Sequence, residues 1–231
     1  MALLGIVGGL SPYSTILYYK FIVEAYRRRA GRDPRLAIYS IPVQEMCQYM
    51  KRDDLKGASR VLAEAFEALR RMGASTVILA ANTPHAAIRK YPAVADGVDF
   101  IDIVDPIARR LEEMGVSKVG LLATASTLRH RVYHDILEPR GIQVVEPPPQ
   151  VQAQIDEMVE RIANGLMSDG DKLILAQAVN SLIARGAEAI VYGCTELSLY
   201  KDRVRFRIPV LDSLEEHVKA AVERLTGATD A

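Results

Sequence analysis

The chain contains the stretch Gly186-Ala187-Glu188-Ala189-Ile190-Val191-Tyr192-Gly193-Cys194-Thr195-Glu196, which repeats an earlier part of the sequence. The earlier copy is Gly73-Ala74-Ser75-Thr76-Val77-Ile78-Leu79-Ala80-Ala81-Asn82-Thr83, and the two align without a gap at an offset of 113 residues (186 − 73). In both copies an apolar run leads into a short polar segment. At the start of that segment Cys194 corresponds to Ala81, so only one copy carries a thiol.

The repeat extends upstream of these two stretches. Leu4-Gly5-Ile6-Val7 matches Val119-Gly120-Leu121-Leu122 at an offset of 115 residues (120 − 5). At the same offset two further pairs match, Ser11 with Ser126 and Tyr18 with Tyr133. Several matches at nearly one spacing predict two related α/β units, residues 1–103 and 104–211. A C-terminal helix over about 212–228 could pack on the first unit or on the second.

Composition narrows the class of protein. The chain has 231 residues, of which 49% are hydrophobic, and this length suits one large domain or two near ~115 residues. Lys and Arg number 29, as do Asp and Glu, so the net charge is zero and a nucleic-acid partner is not expected. The apolar runs are shorter than the ~18 residues of a membrane span, and no signal-peptide pattern is present. We therefore expect a soluble cytoplasmic protein with two free thiols.

Strand-like and helix-like segments alternate along the chain. A helix is predicted from Asp54 to Met72, with Gly73 as its C-terminal cap, and another from Thr127 to Leu137. Alternation of this kind predicts parallel sheets with helices on both faces. In such sheets ligands bind beyond the carboxyl ends of the strands.

Polar clusters follow the predicted strands at those ends. The clusters are Gly8-Gly9-Leu10-Ser11, Asn82-Thr83-Pro84-His85, Thr124-Ala125-Ser126-Thr127 and Cys194-Thr195-Glu196. Two pseudo-symmetric units are expected to place them around one small cleft, where hydroxyls, an amide and loop N–H groups bind a carboxylate. The predicted substrate-binding residues are Gly9, Ser11, Asn82, Thr83, Thr124, Ser126, Thr127 and Thr195.

Other readings of these residues involve no ligand. Asn82 and Thr83 could cap the helix that follows, and Cys47 is expected to serve packing. The three remaining histidines, His130, His134 and His217, are expected on surface helices. No spacing of His, Cys and Asp suggests a metal site, and the glycines do not form a dinucleotide-binding motif, so no cofactor is predicted.

The motifs resemble those of the aspartate/glutamate racemase superfamily, cofactor-independent enzymes that include hydantoin racemases, maleate isomerases and arylmalonate decarboxylases. The resemblance rests on Gly5-Ile6-Val7-Gly8-Gly9-Leu10-Ser11-Pro12, Asn82-Thr83-Pro84-His85, Gly120-Leu121-Leu122-Ala123-Thr124 and Gly193-Cys194-Thr195-Glu196. It implies two flavodoxin-like units with the active site in the cleft between them, commonly in a homodimer. It also implies two thiols that serve opposite faces of the substrate α-carbon.

Cys194 matches one thiol position of that family and Ala81 occupies the other. An alanine methyl has no exchangeable proton, so two-base racemisation would need another group, and Thr83 and His85 are the candidates. Glu196 is assigned a supporting role beside Cys194. If loop N–H groups stabilise its thiolate, Cys194 should be alkylated faster than Cys47.

Three functions remain open on these residues. The first is an amino-acid racemase, or a homologue of one, that uses Cys194 as its acid-base thiol. The second is a one-thiol decarboxylase or isomerase of the same superfamily, and the third is a non-catalytic binder of small carboxylates. The Arg and Lys that the family pattern offers to a distal carboxylate are replaced here by Gln44-Glu45-Met46-Cys47 and Ile162-Ala163-Asn164-Gly165, so the substrate side chain stays undefined.

Overall fold

A computed structural model describes residues 2–201 and 203–227 of the chain. Residues 1 and 228, which bound the predicted first unit and the predicted C-terminal helix, lie outside the described residues. The chain divides into two compact units, the first made from Met1–Ile103 with Leu214–Ala231 and the second from Val104–Ser213.

Each unit is built on one parallel sheet of four strands. The first sheet has the order β2-β1-β3-β4, and the second has the order β6-β5-β7-β8, which is the same order shifted by one repeat. The strands are β1 Leu3–Gly8, β2 Arg35–Ser40, β3 Ala74–Leu79, β4 Asp99–Ile101, β5 Lys118–Leu122, β6 Gln143–Val145, β7 Ala189–Tyr192 and β8 Val210–Asp212. The predicted α/β repeat with parallel sheets is therefore confirmed.

Helices connect the strands and cover the sheets. They are α1 Pro12–Ala30, α2 Val43–Lys51, α3 Leu55–Arg71, α4 His85–Lys90, α5 Val104–Glu113, α6 Ala125–Arg129, α7 His134–Leu137, α8 Pro149–Ala163, α9 Gly170–Ala184 and α10 Ser213–Thr226. In the part of the chain that the structure describes, no helix has the length and apolar character needed to cross a membrane.

Helix α3 illustrates how the sequence produces these elements. Asp54 caps its first turn by accepting a hydrogen bond from the Gly57 N–H at 2.7 Å. Leu62, Phe66 and Leu69 recur at helical spacing and are buried against the sheet of the first unit. The helix predicted from Asp54 to Met72 is confirmed.

Two helical regions differ from the sequence prediction. The helix expected from Thr127 to Leu137 is wrong, because the chain forms α6 and α7 with Arg131 between them at φ 51°. A positive φ interrupts a right-handed helix. Helix α2 was not predicted, and it forms because Met46 and Met50, one turn apart, both enter the core of the first unit.

Candidate active site

The predicted site residues of the first unit lie at one edge of its sheet. Strands β1 and β3 are parallel neighbours, with Val7 paired to Leu79 and the Ala80 N–H donating to the Val7 carbonyl at 2.9 Å. The segment that holds Gly9 and Ser11 follows β1, and the segment from Asn82 to His85 follows β3. The structure therefore brings these two segments to neighbouring strand ends within the first unit.

Local backbone requirements explain the residues after β1. Gly9 has φ +84°, and a Cβ atom there would lie 2.2 Å from the Ile41 carbonyl oxygen, so only glycine fits. Its N–H donates to Thr15 Oγ1 at 2.9 Å. Ser11 is the N-cap of α1, and its Oγ accepts from the Ser14 N–H at 3.3 Å. Gly9 and Ser11 thus shape this turn and fix where α1 begins.

His85 is fully buried, and both of its ring nitrogens contact the backbone. Nδ1 lies 3.1 Å from the Asn82 carbonyl oxygen, and Nε2 accepts from the Ile103 N–H at 3.2 Å. This pattern makes Nδ1 the protonated nitrogen. Burial lowers the pKa of His85 to about 4, so the ring is neutral near pH 7. With both nitrogens engaged, His85 holds the Asn82–Thr83 turn in place and has no free acid-base atom.

His217 on α10 lies next to His85, with ring centroids 6.1 Å apart. Its Nδ1 is 2.9 Å from the Tyr18 hydroxyl, and its Nε2 is 2.9 Å from the Ile101 carbonyl oxygen. Burial lowers the pKa of His217 to about 3. The expectation that His217 and His134 lie on surface helices is wrong, because both are buried. The side-chain contacts of His217 join α1 and α10 to the end of β4.

The predicted site residues of the second unit lie at the matching edge of its sheet. Strands β5 and β7 are parallel neighbours, with Leu122 paired to Tyr192 and the Gly193 N–H donating to the Leu122 carbonyl at 2.8 Å. A Cβ atom at Gly193 would lie within 3.0 Å of Leu121 and Tyr133, so the backbone approaches its neighbours closely there. This close approach fixes the turn that presents Cys194.

Cys194 and Glu196 form a buried pair. The Cys194 thiol donates to Glu196 Oε2 at 3.0 Å, and the Thr195 hydroxyl donates to the same oxygen at 3.3 Å. Cys194 is 6% exposed and Glu196 is 8% exposed. A thiol held against a carboxylate oxygen has both a proton to give and a neighbour that can accept it.

The pKa of Cys194 is raised well above its ordinary value. Burial is the largest cause, followed by the negative charge of Glu196 and the hydrogen bond to it, with Asp156 adding a smaller effect in the same direction. A backbone hydrogen bond from Glu196 favours the thiolate, but the other effects outweigh it, so the stated basis for fast alkylation of Cys194 is lost. Cys194 rests as a neutral thiol near pH 7.

The turn after β5 carries Thr124, Ser126 and Thr127. Thr124 is the N-cap of α6, and its Oγ1 lies 3.0 Å from Thr127 Oγ1. Two residues of α8 hold this turn, since Gln152 Nε2 donates to the Ala123 carbonyl at 2.9 Å and Asp156 Oδ1 accepts from the Ala125 N–H at 2.8 Å. Sequence reasoning missed both residues of α8, and their only signal was a spacing of four on a predicted helix.

Asp171 fastens the segment that follows Cys194 and Glu196. It is fully buried and accepts hydrogen bonds from the Tyr200 hydroxyl, from Arg161 Nη2 at 2.6 Å and from the Ser168 N–H at 2.8 Å. Burial opposes its ionisation, yet the hydrogen bonds from Tyr200 and Arg161 hold its pKa below the ordinary value. Asp171 thus ties the turn that ends at Tyr200 to the start of α9.

Two further predicted positions can be placed. Ala81 is 8% exposed and lies two residues after the end of β3, as Cys194 lies two residues after the end of β7. Cys47 is exposed on α2, so the packing role expected for it is wrong, and both cysteines are free thiols. Among residues 2–201 and 203–227, no group of three or more His, Cys, Asp or Glu side chains is placed to hold a metal.

These features define a class of protein: two α/β units of identical strand order, with a buried thiol–carboxylate pair after the third strand of the second unit. The family model of Asp/Glu/hydantoin racemases matches residues 7–221. The chain belongs to this family.

Comparison with individual relatives agrees with the family assignment. The crystal structure of an aspartate racemase homologue from Pyrococcus horikoshii is similar to this chain, with a TM-score of 0.82 and 32% sequence identity. The match covers 98% of this chain and 100% of that protein. The aspartate racemase of Picrophilus torridus, at 19% identity, has a TM-score of 0.78 over 100% of this chain and 96% of its own length, which shows the fold alone.

Glutamate racemases are similar over a smaller part of their length. The enzyme of Roseiflexus sp. (strain RS-1) is 32% identical over 172 residues, which are 70% of this chain and 58% of that protein. The matched region therefore spans less than two thirds of that relative.

Proposed function

We propose that this protein is a cofactor-independent isomerase of small amino acids, a racemase homologue in which Cys194 is the acid-base thiol. The hydrogen bond of 3.0 Å from Cys194 Sγ to Glu196 Oε2 carries the proposal. Family membership supports the chemical class, because the relatives include an aspartate racemase homologue and a glutamate racemase, each 32% identical to this chain.

The proton balance of this pair suits exchange at a substrate α-carbon. The Cys194 proton first moves to Glu196, which leaves a thiolate and a neutral carboxyl group. The thiolate then removes the α-proton, which forms a new S–H bond and leaves the electron pair on the α-carbon. The S–H proton exchanges with solvent before Cys194 returns a proton to the same face of the α-carbon, which restores the substrate with a solvent-derived proton. The thiolate that remains then takes back the proton held by Glu196.

Ala81 favours a second candidate within the same superfamily. If Cys194 is the only acid-base group that reaches the α-carbon, protons enter and leave from one face, as in a decarboxylase or isomerase that yields a product of one hand. His85 does not supply the second group in this proposal, because its two ring nitrogens contact Asn82 and Ile103. Thr83, which is half-buried, is left as the candidate partner.

Incubation of the protein with single enantiomers of amino acids in deuterium oxide tests the proposal. Proton NMR measures α-proton exchange, and chiral chromatography measures racemisation. We expect exchange that Cys194→Ser abolishes and that Cys47→Ser, the matched change at the exposed cysteine, leaves intact. Exchange that survives in Cys194→Ser would remove the catalytic assignment, and saturable binding without exchange would indicate the non-catalytic carboxylate binder.

A further inference from the structure

A cavity of about 500 Å³ lies along β6, which is an edge strand of the second sheet. The consecutive residues 143–146 line the cavity, together with His134, Glu138, Lys118 and Arg185. A volume of this size is within the range of small-ligand sites, which is roughly 300 to 1,000 Å³.

Side chains from both faces of the sheet meet in this cavity. Val145 packs in a core cluster with residues of α8 and α9, whereas the next residue, Glu146, contacts His134 on α7. Successive side chains of a strand alternate between the two faces, so a cavity lined by residues 143–146 takes side chains from both. The cavity therefore lies over the outer edge of β6.

The backbone of Val144 faces this edge. Gln143 is paired with Lys118 of β5, and the Gln143 N–H donates to the Ser117 carbonyl at 2.8 Å. In a parallel ladder, successive residues direct their N–H and C=O groups to opposite sides of the strand, so Val144 directs both groups away from β5. Among the described strands none lies on that side of β6, and such an edge can pair with an added strand.

Two cations lie at the end of the cavity where β6 begins. Lys118 Nζ lies beside the turn after Arg185, because a Cβ atom at Gly186 would be 3.2 Å from it. Neither Lys118 nor Arg185 forms an ion pair with another described residue. The pKa of Glu188 is lowered mainly by hydrogen bonds from backbone N–H groups, and the charge of Lys118 contributes least. Both cations are therefore available to a carboxylate.

A carboxylate lies at the opposite end of β6. Glu146 Oε1 is 3.1 Å from Nε2 of the buried His134, whose Nδ1 has no hydrogen-bond partner among the described residues. Burial lowers the pKa of His134, so a neutral ring donates from Nε2 and does not neutralise Glu146. The other carboxylate of the cavity, Glu138, is already paired with Arg131. Glu146 is therefore suited to an ammonium group.

The separation of these charges determines the size of the ligand. Gln143 and Glu146 are three residues apart, which at about 3.3 Å per residue is roughly 10 Å. A free amino acid carries its ammonium and carboxylate groups on one carbon, so it cannot reach both ends. An extended chain of about three residues spans roughly 10 Å.

We propose that the outer edge of β6 binds a tripeptide with free termini as an added antiparallel strand, with its carboxylate at Lys118 and Arg185 and its ammonium at Glu146. In this register the middle residue of the peptide lies opposite Val144, and the two exchange a pair of N–H to C=O hydrogen bonds. Cys194 does not line this cavity, so the inference is independent of the proposed function.

Trialanine with free termini is the probe, and isothermal titration calorimetry on the full chain measures its affinity. We expect saturable binding, and N-acetyl-trialanine amide, which lacks both charges, should bind at least tenfold more weakly. Trialanine with an N-methyl group on its middle residue keeps both charges but loses the N–H that faces Val144, and it should also bind roughly tenfold more weakly. Equal affinity of the methylated peptide would refute the added strand without any change to the protein.

Variants of the protein locate the peptide. Glu146→Gln and Lys118→Met should each weaken trialanine binding roughly tenfold. Glu138→Gln is the matched control, because Glu138 lines the same cavity but is paired with Arg131, and it should change the affinity less than twofold. Absence of saturable binding, or unchanged affinity in Glu146→Gln and Lys118→Met, would overturn the inference. A dimer that Glu146→Gln dissociates, with no peptide binding, would assign the edge to a second copy of the chain and refute the peptide site.

Discussion

Cys194 Sγ lies 3.0 Å from Glu196 Oε2, and both side chains are buried. The structure of this pair affects two properties of the thiol differently, its nucleophilicity and its ability to transfer a proton. Burial and the neighbouring charge raise the pKa of Cys194, so the thiol is a poor nucleophile at rest. The adjacent carboxylate nevertheless gives its proton a place to go, which suits proton transfer better than attack on carbon.

Replacement of Glu196 by glutamine should make the Cys194 thiol easier to ionise and at the same time reduce exchange activity. We expect Glu196→Gln to lower the pKa of Cys194, because the negative charge is lost, while burial keeps that pKa above the ordinary value. The pH profile of Cys194 alkylation by iodoacetamide in a Cys47→Ser background should therefore shift to lower pH. Exchange activity should fall by roughly a hundredfold or more, since the thiol loses its proton acceptor.

Glu157→Gln is the matched control for this change, because Glu157 is an exposed carboxylate on α8. It should move neither the alkylation profile nor the exchange rate. A Glu196→Gln protein with an unchanged profile would show that Glu196 does not act on the thiol.

Asp171 should stabilise the second unit through its contacts with Tyr200 and Arg161. Asp171→Ala removes a buried carboxylate and leaves Tyr200 and Arg161 without their shared acceptor, which should cost about 3 kcal/mol in the free energy of unfolding. Urea denaturation followed by circular dichroism measures this. Asp169→Ala, at an exposed carboxylate two residues away, should change stability little. Equal stability of the two variants would contradict the anchoring role.

The two buried histidines of the first unit should make stability depend on pH. Burial holds the pKa of His85 at about 4 and that of His217 at about 3, below the ordinary value of 6.5. The unfolded chain therefore binds more protons below pH 6.5, so stability is full above that pH and is lost as the pH falls toward about 4. Each histidine contributes about 1.4 kcal/mol per pH unit within this window.

Denaturation midpoints between pH 7 and pH 5 measure this slope. His217→Gln cannot titrate, and it should reduce the slope by about 1.4 kcal/mol per pH unit whatever its effect on absolute stability. His134, whose pKa is also lowered by burial, still contributes to the slope in this variant. Asp102 raises and Arg89 lowers the pKa of His85, and the two side chains form an ion pair of 2.6 Å. If His217→Gln leaves the slope unchanged, groups other than His217 cause the pH dependence of stability.

The strand-end clusters could be predicted from the sequence because their cause is local. The apolar run Val77-Ile78-Leu79 predicts a buried strand and lies in β3, and parallel strands bring their following residues to one edge. The fate of the segment from Thr127 to Leu137 could not be predicted, because its helical pattern is interrupted only by the backbone angle at Arg131.

Long-range contacts account for the other missed residues. His217 contacts Tyr18 across 199 residues and Ile101 across 116, and nothing in its own neighbourhood distinguishes it from a surface histidine. Asp156 likewise meets Ala125 only through the packing of α8. From the sequence alone, polar and charged residues of this kind are expected on the surface, and only their tertiary contacts show another role.

Thr83 and Thr195, one from each unit, are expected to contact a substrate carboxylate. A hydrogen bond to a charged group is worth roughly 1.5 to 3 kcal/mol, so Thr83→Ala and Thr195→Ala should each weaken binding roughly tenfold to a hundredfold. Isothermal titration calorimetry measures the affinity. Thr83→Ser and Thr195→Ser keep the hydroxyl and should retain most of it. Unchanged affinity in both alanine variants would remove these residues from the binding site.

Ala81 provides the most direct test of one-sided proton transfer. The repeat aligns it with Cys194, so Ala81→Cys restores the thiol that the resemblance assigns to this position. We expect the wild-type protein in deuterium oxide to exchange the α-proton of one enantiomer much faster than that of the other, with little racemisation. Ala81→Cys should then raise racemisation, because each face of the α-carbon would have an acid-base group. Ala81→Ser adds a side chain of similar size with a hydroxyl that is a poor base, and it should not. Comparable exchange and racemisation of both enantiomers by the wild-type protein would show that another group, with Thr83 the candidate, already completes the pair.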